Sequence, residues 1–375
     1  MNGQGSAQNP VLKQRLSSLD ALRGLDMLCI IGGDAVIHEA ARLWPGPALG
    51  ALAVQFEHVG WEGLHVYDLI FPLFIFLSGV AIPLSMDARM VRSASRQPLW
   101  GKIAMRTVLL LVLGIIYNGL LADEPQAPRL PSVLGQIGLA WGIAASIYLI
   151  VRDNRARAAV LLGWLVGVAI LQLLVPVPGH GAGVLTKIGA LNTWLDRTII
   201  PGRLHRGTFD PEGLLCCFSA ASVAMAGALA GVLLKRPYAR SWRTVALLAG
   251  SGSTAVLLGL LCWALGYPPI KALWTSTFNL LAIGISTLLL ALFFGIIDVA
   301  RVKSWSFPLT LIGLNSLTVY LAARLVSFRE MSGFLFGRLA GNSGNAGPLV
   351  VACGVILLEL LMLYFLYRRQ WFLKL

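Results

Sequence analysis

Ten stretches of predominantly apolar residues recur along this chain, near 21–43, 69–87, 103–122, 131–151, 157–175, 213–235, 244–266, 277–299, 306–328 and 348–367. A helix needs about 20 such residues to cross the hydrocarbon core of a bilayer. Lipid offers no hydrogen-bond partner to an open backbone amide, so each run predicts a transmembrane helix. Composition points the same way. Hydrophobic residues make up 57% of the chain and charged ones 13%, against roughly 25% charged in soluble proteins. The expected fold is an all-α integral membrane protein, a bundle of about ten transmembrane helices. Residues 1–19 are expected to be a cytoplasmic N-terminal tail and 20–375 a single transmembrane domain. The first apolar run begins near Leu25 and lacks a small-residue cleavage site, so no cleavable signal peptide is expected.

The net charge of +13 raises the question of nucleic acid. The basic residues, however, fall in short clusters between apolar runs and form no stripe interleaved with aromatics. They set orientation instead. With the N-terminus inside, the inner segments hold Lys13, Arg15, Arg23, Arg89, Arg92, Arg96, Lys102, Arg106 and the clusters around Arg155, Arg240, Arg301 and Arg368. Both termini are therefore expected inside. The outer segment from Trp44 to Asp68 then contains no Lys or Arg, but carries Glu57, His58, Glu62, His65 and Asp68. The Gly- and Pro-rich loop ending in Asp210 and Glu212 lies on that same side. The five cysteines show no CxxC spacing, which points to packing and away from a metal or disulfide role.

Ionisable groups inside spans are costly and mark function by default. Asp34 and His38, four residues apart in the first run, share a helix face. They are read either as functional groups or as an interfacial polar patch. Asp26 is expected to pair with Arg23. His58 is the sharpest candidate, because an imidazole near neutrality can take a proton from an amine or hydroxyl, or carry an acyl group itself. The bland alternative is an interfacial hydrogen-bonder. Asp210-Pro-Glu-Gly213 opens the sixth run with helix-capping chemistry, and its two carboxylates also suit an ammonium group. Asn315 interrupts an apolar run and is expected to face the bundle interior. Lys102 and Arg106, one helical turn apart, are read as positive-inside anchors or as a phosphate clamp. No P-loop, dinucleotide fingerprint or HExxH is present.

Eight short blocks occur in order from residue 18 to about 320. They include Ser18-Leu-Asp-Ala-Leu-Arg-Gly24, Phe56-Glu-His-Val-Gly-Trp-Glu-Gly63, Tyr67-Asp-Leu-Ile-Phe-Pro-Leu-Phe-Ile-Phe76, Arg129-Leu-Pro-Ser-Val-Leu-Gly-Gln136, Lys271-Ala-Leu-Trp-Thr-Ser276 and Ile312-Gly-Leu-Asn-Ser-Leu317. Together they resemble the heparan-alpha-glucosaminide N-acetyltransferase family, including its bacterial homologues of the DUF5009 type. The resemblance implies a multi-pass protein of a bacterial inner membrane that moves acetyl from cytosolic acetyl-CoA to the amino group of a glucosamine-type sugar. His58 falls on the family's active-site histidine. Asp34 stands where lysosomal members carry asparagine and is assigned to catalysis beside it. Trp61 is expected to stack on the sugar, with Asp68, Asp210, Glu212 and Asn315 as further substrate contacts. Lys102, Arg106, Arg129 and Gln136 are assigned to acetyl-CoA. No metal is expected, and family analogy extends to a homodimer. The rival readings are O-acetylation of a cell-envelope glycan and sugar transport. Inverted repeats would mark a transporter, and the motifs here occur once each.

Overall fold

The computed structural model describes residues 16–90, 97–119, 129–235 and 240–373. Lys13, Arg15, Arg92, Arg96, Arg236 and Lys374, which contribute to the expected charge bias, lie outside the described residues, as does most of the expected tail 1–19. The described residues are predominantly helical, and the isolated bridge Val177–Gly181 is the β-type pairing found among them. In chain order the helices are α1 (Ser17–Leu28), α2 (Asp34–Leu43), α3 (Pro47–Gln55), α4 (Ile70–Met90), α5 (Gln97–Gly119), α6 (Val133–Ile150), α7 (Asn154–Leu174) and α8 (Leu191–Ile199). They continue with α9 (Leu214–Leu234), α10 (Trp242–Ala264), α11 (Ser276–Phe293), α12 (Phe307–Leu314), α13 (Ser316–Leu325), α14 (Phe328–Asn342) and α15 (Gly347–Arg368).

Among the described residues, eight helices are long and apolar enough to cross a membrane: α4, α5, α6, α7, α9, α10, α11 and α15. They sort by burial. Most of α4, α6, α9 and α11 is enclosed by protein, whereas most of α5, α7, α10 and α15 is open to the surroundings. Both groups are similarly hydrophobic, because lipid and protein interior are similarly apolar solvents. Small side chains make the difference. In α9 the run Ser219-Ala-Ala-Ser-Val-Ala-Met-Ala-Gly-Ala228 is buried throughout. It lets α4 approach so closely that a Cβ at Gly227 would lie 2.1 Å from the Phe76 carbonyl oxygen, and one at Gly79 2.1 Å from that of Ala224. At the far end of this central group, Asp87 of α4 accepts the Tyr148 hydroxyl of α6 at 3.0 Å and pairs with Lys235 beyond α9.

Two expected spans take other shapes. The run 21–43 is interrupted by a π-helical segment, Cys29–Gly33, in which Gly32 adopts φ 154°. That backbone conformation is open to glycine and costly for other residues, and it re-aims α2 relative to α1. Arg23 reaches back to Asp20, and neither Asp26 oxygen has a hydrogen-bond partner, so the expected Asp26–Arg23 hydrogen bond is not formed. The run 306–328 is a pair, α12 and α13, bent by 63° at Asn315. Counting that pair as one crossing brings the number of spans to nine. The connection expected after it contains α14, and the two long loops expected outside contain α3 and α8.

The α4–α9 seam gives a direct test. Gly227→Ala is expected to lower thermal stability in detergent by at least the roughly 1–3 kcal/mol typical of overpacking. Gly250→Ala, on α10 with open space around it, is expected to leave stability unchanged or slightly raised. Equal melting temperatures for the two variants would contradict the close seam.

Candidate functional site

The site is built on the turn that leads into α4. Gly63, at φ 119°, reverses the chain and donates its N–H to the Pro269 carbonyl at 2.9 Å. This fastens the 56–68 segment to the one preceding α11. Asp68, 1% exposed, lies beneath the turn. One of its oxygens accepts the backbone N–H groups of His65 (3.1 Å) and Val59 (3.3 Å). The other lies 2.8 Å from His58 Nδ1 and 3.2 Å from Lys271 Nζ. Lys271 Nζ is also 3.1 Å from His58 Nδ1. A proton on Nδ1 donated to Asp68 leaves the lone pair on Nε2, the form of imidazole that acts as a base. Burial pulls the Lys271 ammonium below the ordinary lysine range, and the Asp68 carboxylate opposes that pull.

Lys271 opens a 3-10 turn ended by Trp274, which sits at φ 48° with its side chain fully packed between Phe71 and Phe278. Two buried amides, Gln172 and Asn192, donate to the Leu273 carbonyl at 2.8 and 3.0 Å, and Thr275 caps α11. The turn is thus held from three sides. No role was assigned to Lys271 from sequence. The available signal was its isolation, a lone lysine on the expected outer side between two apolar runs.

His58 and Lys271 line a cavity of about 270 Å³ with Tyr67, Glu212 and Tyr320 as the other polar groups. Its apolar floor includes Met27, Phe71, Phe74, Ile137 and Leu317. Small-molecule sites run from roughly 300 to 1,000 Å³, and this cavity lies just below that range. Asp34 meets it indirectly: the Tyr67 hydroxyl donates to Asp34 at 3.2 Å, and the Tyr67 ring centroid is 4.9 Å from that of His58.

Asp210 and Glu212 are brought to the same end of the bundle, as expected, by an arginine assigned elsewhere. Arg129 reaches Asp210 through two nitrogens at 2.6 and 2.8 Å and also pairs with Glu212. Asp210 further accepts the N–H groups of His205 (2.9 Å) and Glu212 (3.0 Å). Burial works to raise the Asp210 carboxyl, but the Arg129 fork and these N–H donors outweigh it and hold it below the usual range. For Glu212 burial prevails, and its carboxyl stands above the usual range despite Arg129. Arg129 therefore belongs to the His58 end and is not gathered with Lys102 and Arg106. Arg106 stacks its guanidinium 4.1 Å from the Trp141 ring centroid, Lys102 is exposed, and neither lines the His58 cavity.

Other expected contacts lie apart from that cavity. Trp61 donates to the Leu185 carbonyl at 2.9 Å, packs edge-on to Phe209 and carries Lys187 over its face, so it braces the 176–212 loop against the turn before α4. Asn315 donates to the Trp371 carbonyl at 3.1 Å and fastens the segment after α15. Gln136 is fully buried on a second cavity, with neither amide atom hydrogen-bonded. Among the described residues, no group of three or more His, Cys, Asp or Glu is arranged to hold a metal ion.

Residues 15–125 match the family described as a domain of unknown function, DUF5009. That stretch contains both His58 and Asp68. The human heparan-alpha-glucosaminide N-acetyltransferase is 26% identical over 97% of this chain, and the mouse protein of the same name is 26% identical over 96%. The resemblance to the heparan-alpha-glucosaminide N-acetyltransferases holds. The chain spans about 60% of the length of these curated relatives.

Asp196 of α8 anchors the strand of chain carrying Glu212, accepting the Leu214 N–H at 3.0 Å. Burial lifts its carboxyl from an ordinary value of 3.8 to about 7. Between those values the folded protein binds a proton that the unfolded chain has lost, so stability falls as pH rises through that window and levels off above it. Asp196→Asn keeps the acceptor oxygen without the titration. Its melting temperature in detergent is expected to fall less than wild type between pH 4.5 and 7.5, and to exceed it at the upper end. Parallel profiles would contradict this.

Proposed function

We propose that this chain is a membrane-embedded N-acetyltransferase that moves acetyl from acetyl-CoA, supplied on the cytoplasmic side of a bacterial inner membrane, to the amino group of a glucosamine-type sugar supplied from the periplasmic side. The observation that carries the reading is the His58–Asp68–Lys271 cluster on the wall of the cavity. The human and mouse relatives are N-acetyltransferases by name, which supports the reaction class.

An amino sugar arrives mostly as its ammonium, which has no lone pair for attack. Glu212, the carboxylate that lines the cavity, takes the first proton and releases it to solvent. The free amine then attacks the thioester carbonyl carbon, and the carbonyl oxygen gains negative charge. Lys271 lies on the same wall and stabilises that charge, an effect strongest in a water-poor site. As the C–N bond forms, His58 Nε2 removes the second proton from nitrogen, and Asp68 holds the resulting imidazolium. The C–S bond breaks and the departing thiolate takes that proton from His58. The products are the N-acetyl sugar, the free thiol and one proton. Asp34 acts through the Tyr67 hydroxyl, setting the ring that packs against the imidazole.

Incubation of the purified protein with acetyl-CoA and glucosamine, read by mass spectrometry, is expected to yield N-acetylglucosamine and free CoA. His58→Ala is expected to abolish the reaction while the protein remains folded. Asp68→Asn is expected to lower kcat by about 10²–10⁴-fold, the range for a general base deprived of its orientation. Asp34→Asn, which keeps an acceptor for Tyr67, is expected to change kcat by less than Asp34→Ala does. A wild-type rate in folded His58→Ala protein would remove the mechanism.

A further inference from the structure

Glu212 lines two cavities, and it is the residue their walls share. The second, of about 230 Å³, lies between α5, α6, the start of α9 and residues 199–201. Its walls are almost wholly apolar, with Leu111, Leu139 and Ile200 among them. Its rim is formed by Leu130, Ile199 and Leu214, which are exposed by 37%, 57% and 42%. These lie on the same flank as α5, whose own apolar side chains are turned outward. On a membrane protein such a rim faces hydrocarbon.

One feature of this cavity is out of keeping with a packing defect. Gln136 is 0% exposed, lines it, and has neither Oε1 nor Nε2 hydrogen-bonded. A buried carboxamide left without partners is destabilising, and this one lies one turn inside α6 with both of its polar atoms unmet. A neutral donor–acceptor pair in an apolar chamber suits a neutral polar linkage better than an ion, which would lose its hydration there. The chamber also straddles the ends of α6 and α9, the level at which hydrocarbon gives way to head groups if these helices cross a bilayer.

We propose that this second cavity is a lateral port from the bilayer and that the acceptor is an amphiphile, an amino sugar carried on a lipid chain. The chain lies against Leu111, Leu139 and Leu214, the neutral linkage bonds Gln136, and the sugar amine passes Glu212 into the His58 cavity. A free sugar would gain nothing from the apolar rim, whereas each buried methylene of a chain contributes about 0.8 kcal/mol. The proposal rests on the acetyl-transfer reading for its chemistry, but the port itself is a statement about binding.

The test uses the full chain in lipid nanodiscs, with glucosamine and decyl β-D-glucosaminide as alternative acceptors. The ratio of their kcat/KM values is expected to favour the decyl compound by more than about tenfold, the gain from burying two methylenes. Leu214→Trp, which fills the rim, is expected to bring that ratio near unity. Gln136→Leu is expected to lower it as well. Leu257→Trp, on lipid-facing α10, is expected to leave it at the wild-type value. A ratio near unity in wild type, or one unmoved by Leu214→Trp, would overturn the port. Direct binding of the decyl compound to His58→Ala protein, with and without Leu214→Trp, decides the port without turnover. If neither acceptor is acetylated but binding is lost in Leu214→Trp, the enzyme reading fails and the port stands. Binding that is absent, or equal in both proteins, sinks the port.

Discussion

A carboxylate as deeply buried as Asp68 is tolerated only when its lone pairs are met by donors. Here four groups meet it, and they come from two stretches of chain: His58, Val59 and His65 from the turn that leads into α4, and Lys271 from the segment preceding α11. That convergence makes the site. It sets a carboxylate and an ammonium beside one nitrogen of His58, Nδ1, with Nε2 making neither contact. It also ties the turn before α4 to a segment that is far away in sequence. Removing the carboxylate would leave Lys271 without its acidic partner.

The scaffold beneath this cluster is stiff for a reason peculiar to the bilayer. Lipid supplies no hydrophobic drive between helices, and close backbone approach through small residues takes its place. The contacts of Gly79 and Gly227 bring α4 and α9 together, and the Asp87–Tyr148–Lys235 cluster secures the opposite end of the same helices. Counting the rise per residue from Ile70 to Asp87, that end lies about 25 Å from the site. The His58 end therefore rests on a frame pinned at both ends. The two breaks, at Gly32 and Asn315, fall in the helices around this frame and not within it.

The second polar centre, Arg129 with Asp210 and Glu212, has a different character. Asp210 spends its oxygens on Arg129 and backbone donors and is structural in geometry. Glu212 shares the same guanidinium yet fronts two cavities. Adjacent carboxylates in one motif have thus been separated into a fastened group and a labile one by burial and by the count of donors each receives. This is a general route by which one membrane site obtains both a fixed charge and a titratable one.

Hydropathy and charge determined that the chain is an all-α membrane protein, because runs of this length have no other stable home. Local spacing also placed His58 and Asp68 ten residues apart at one helix start, and Asp210 and Glu212 at another. What lay beyond reach was lateral arrangement. Core and lipid-facing helices are about equally apolar, so no pattern of hydrophobicity says which helix neighbours which. Lys271 is 203 residues from Asp68 and Arg129 is 81 from Asp210, and only packing could pair them. For the same reason the loop contacts of Trp61 and Asn315, both expected at the substrate, and their place outside the lining of the His58 cavity, were not legible in the sequence. Sequence set the solvent and the local chemistry; tertiary structure chose the partners, because a buried charge is stabilised by whatever the neighbouring helix happens to bring.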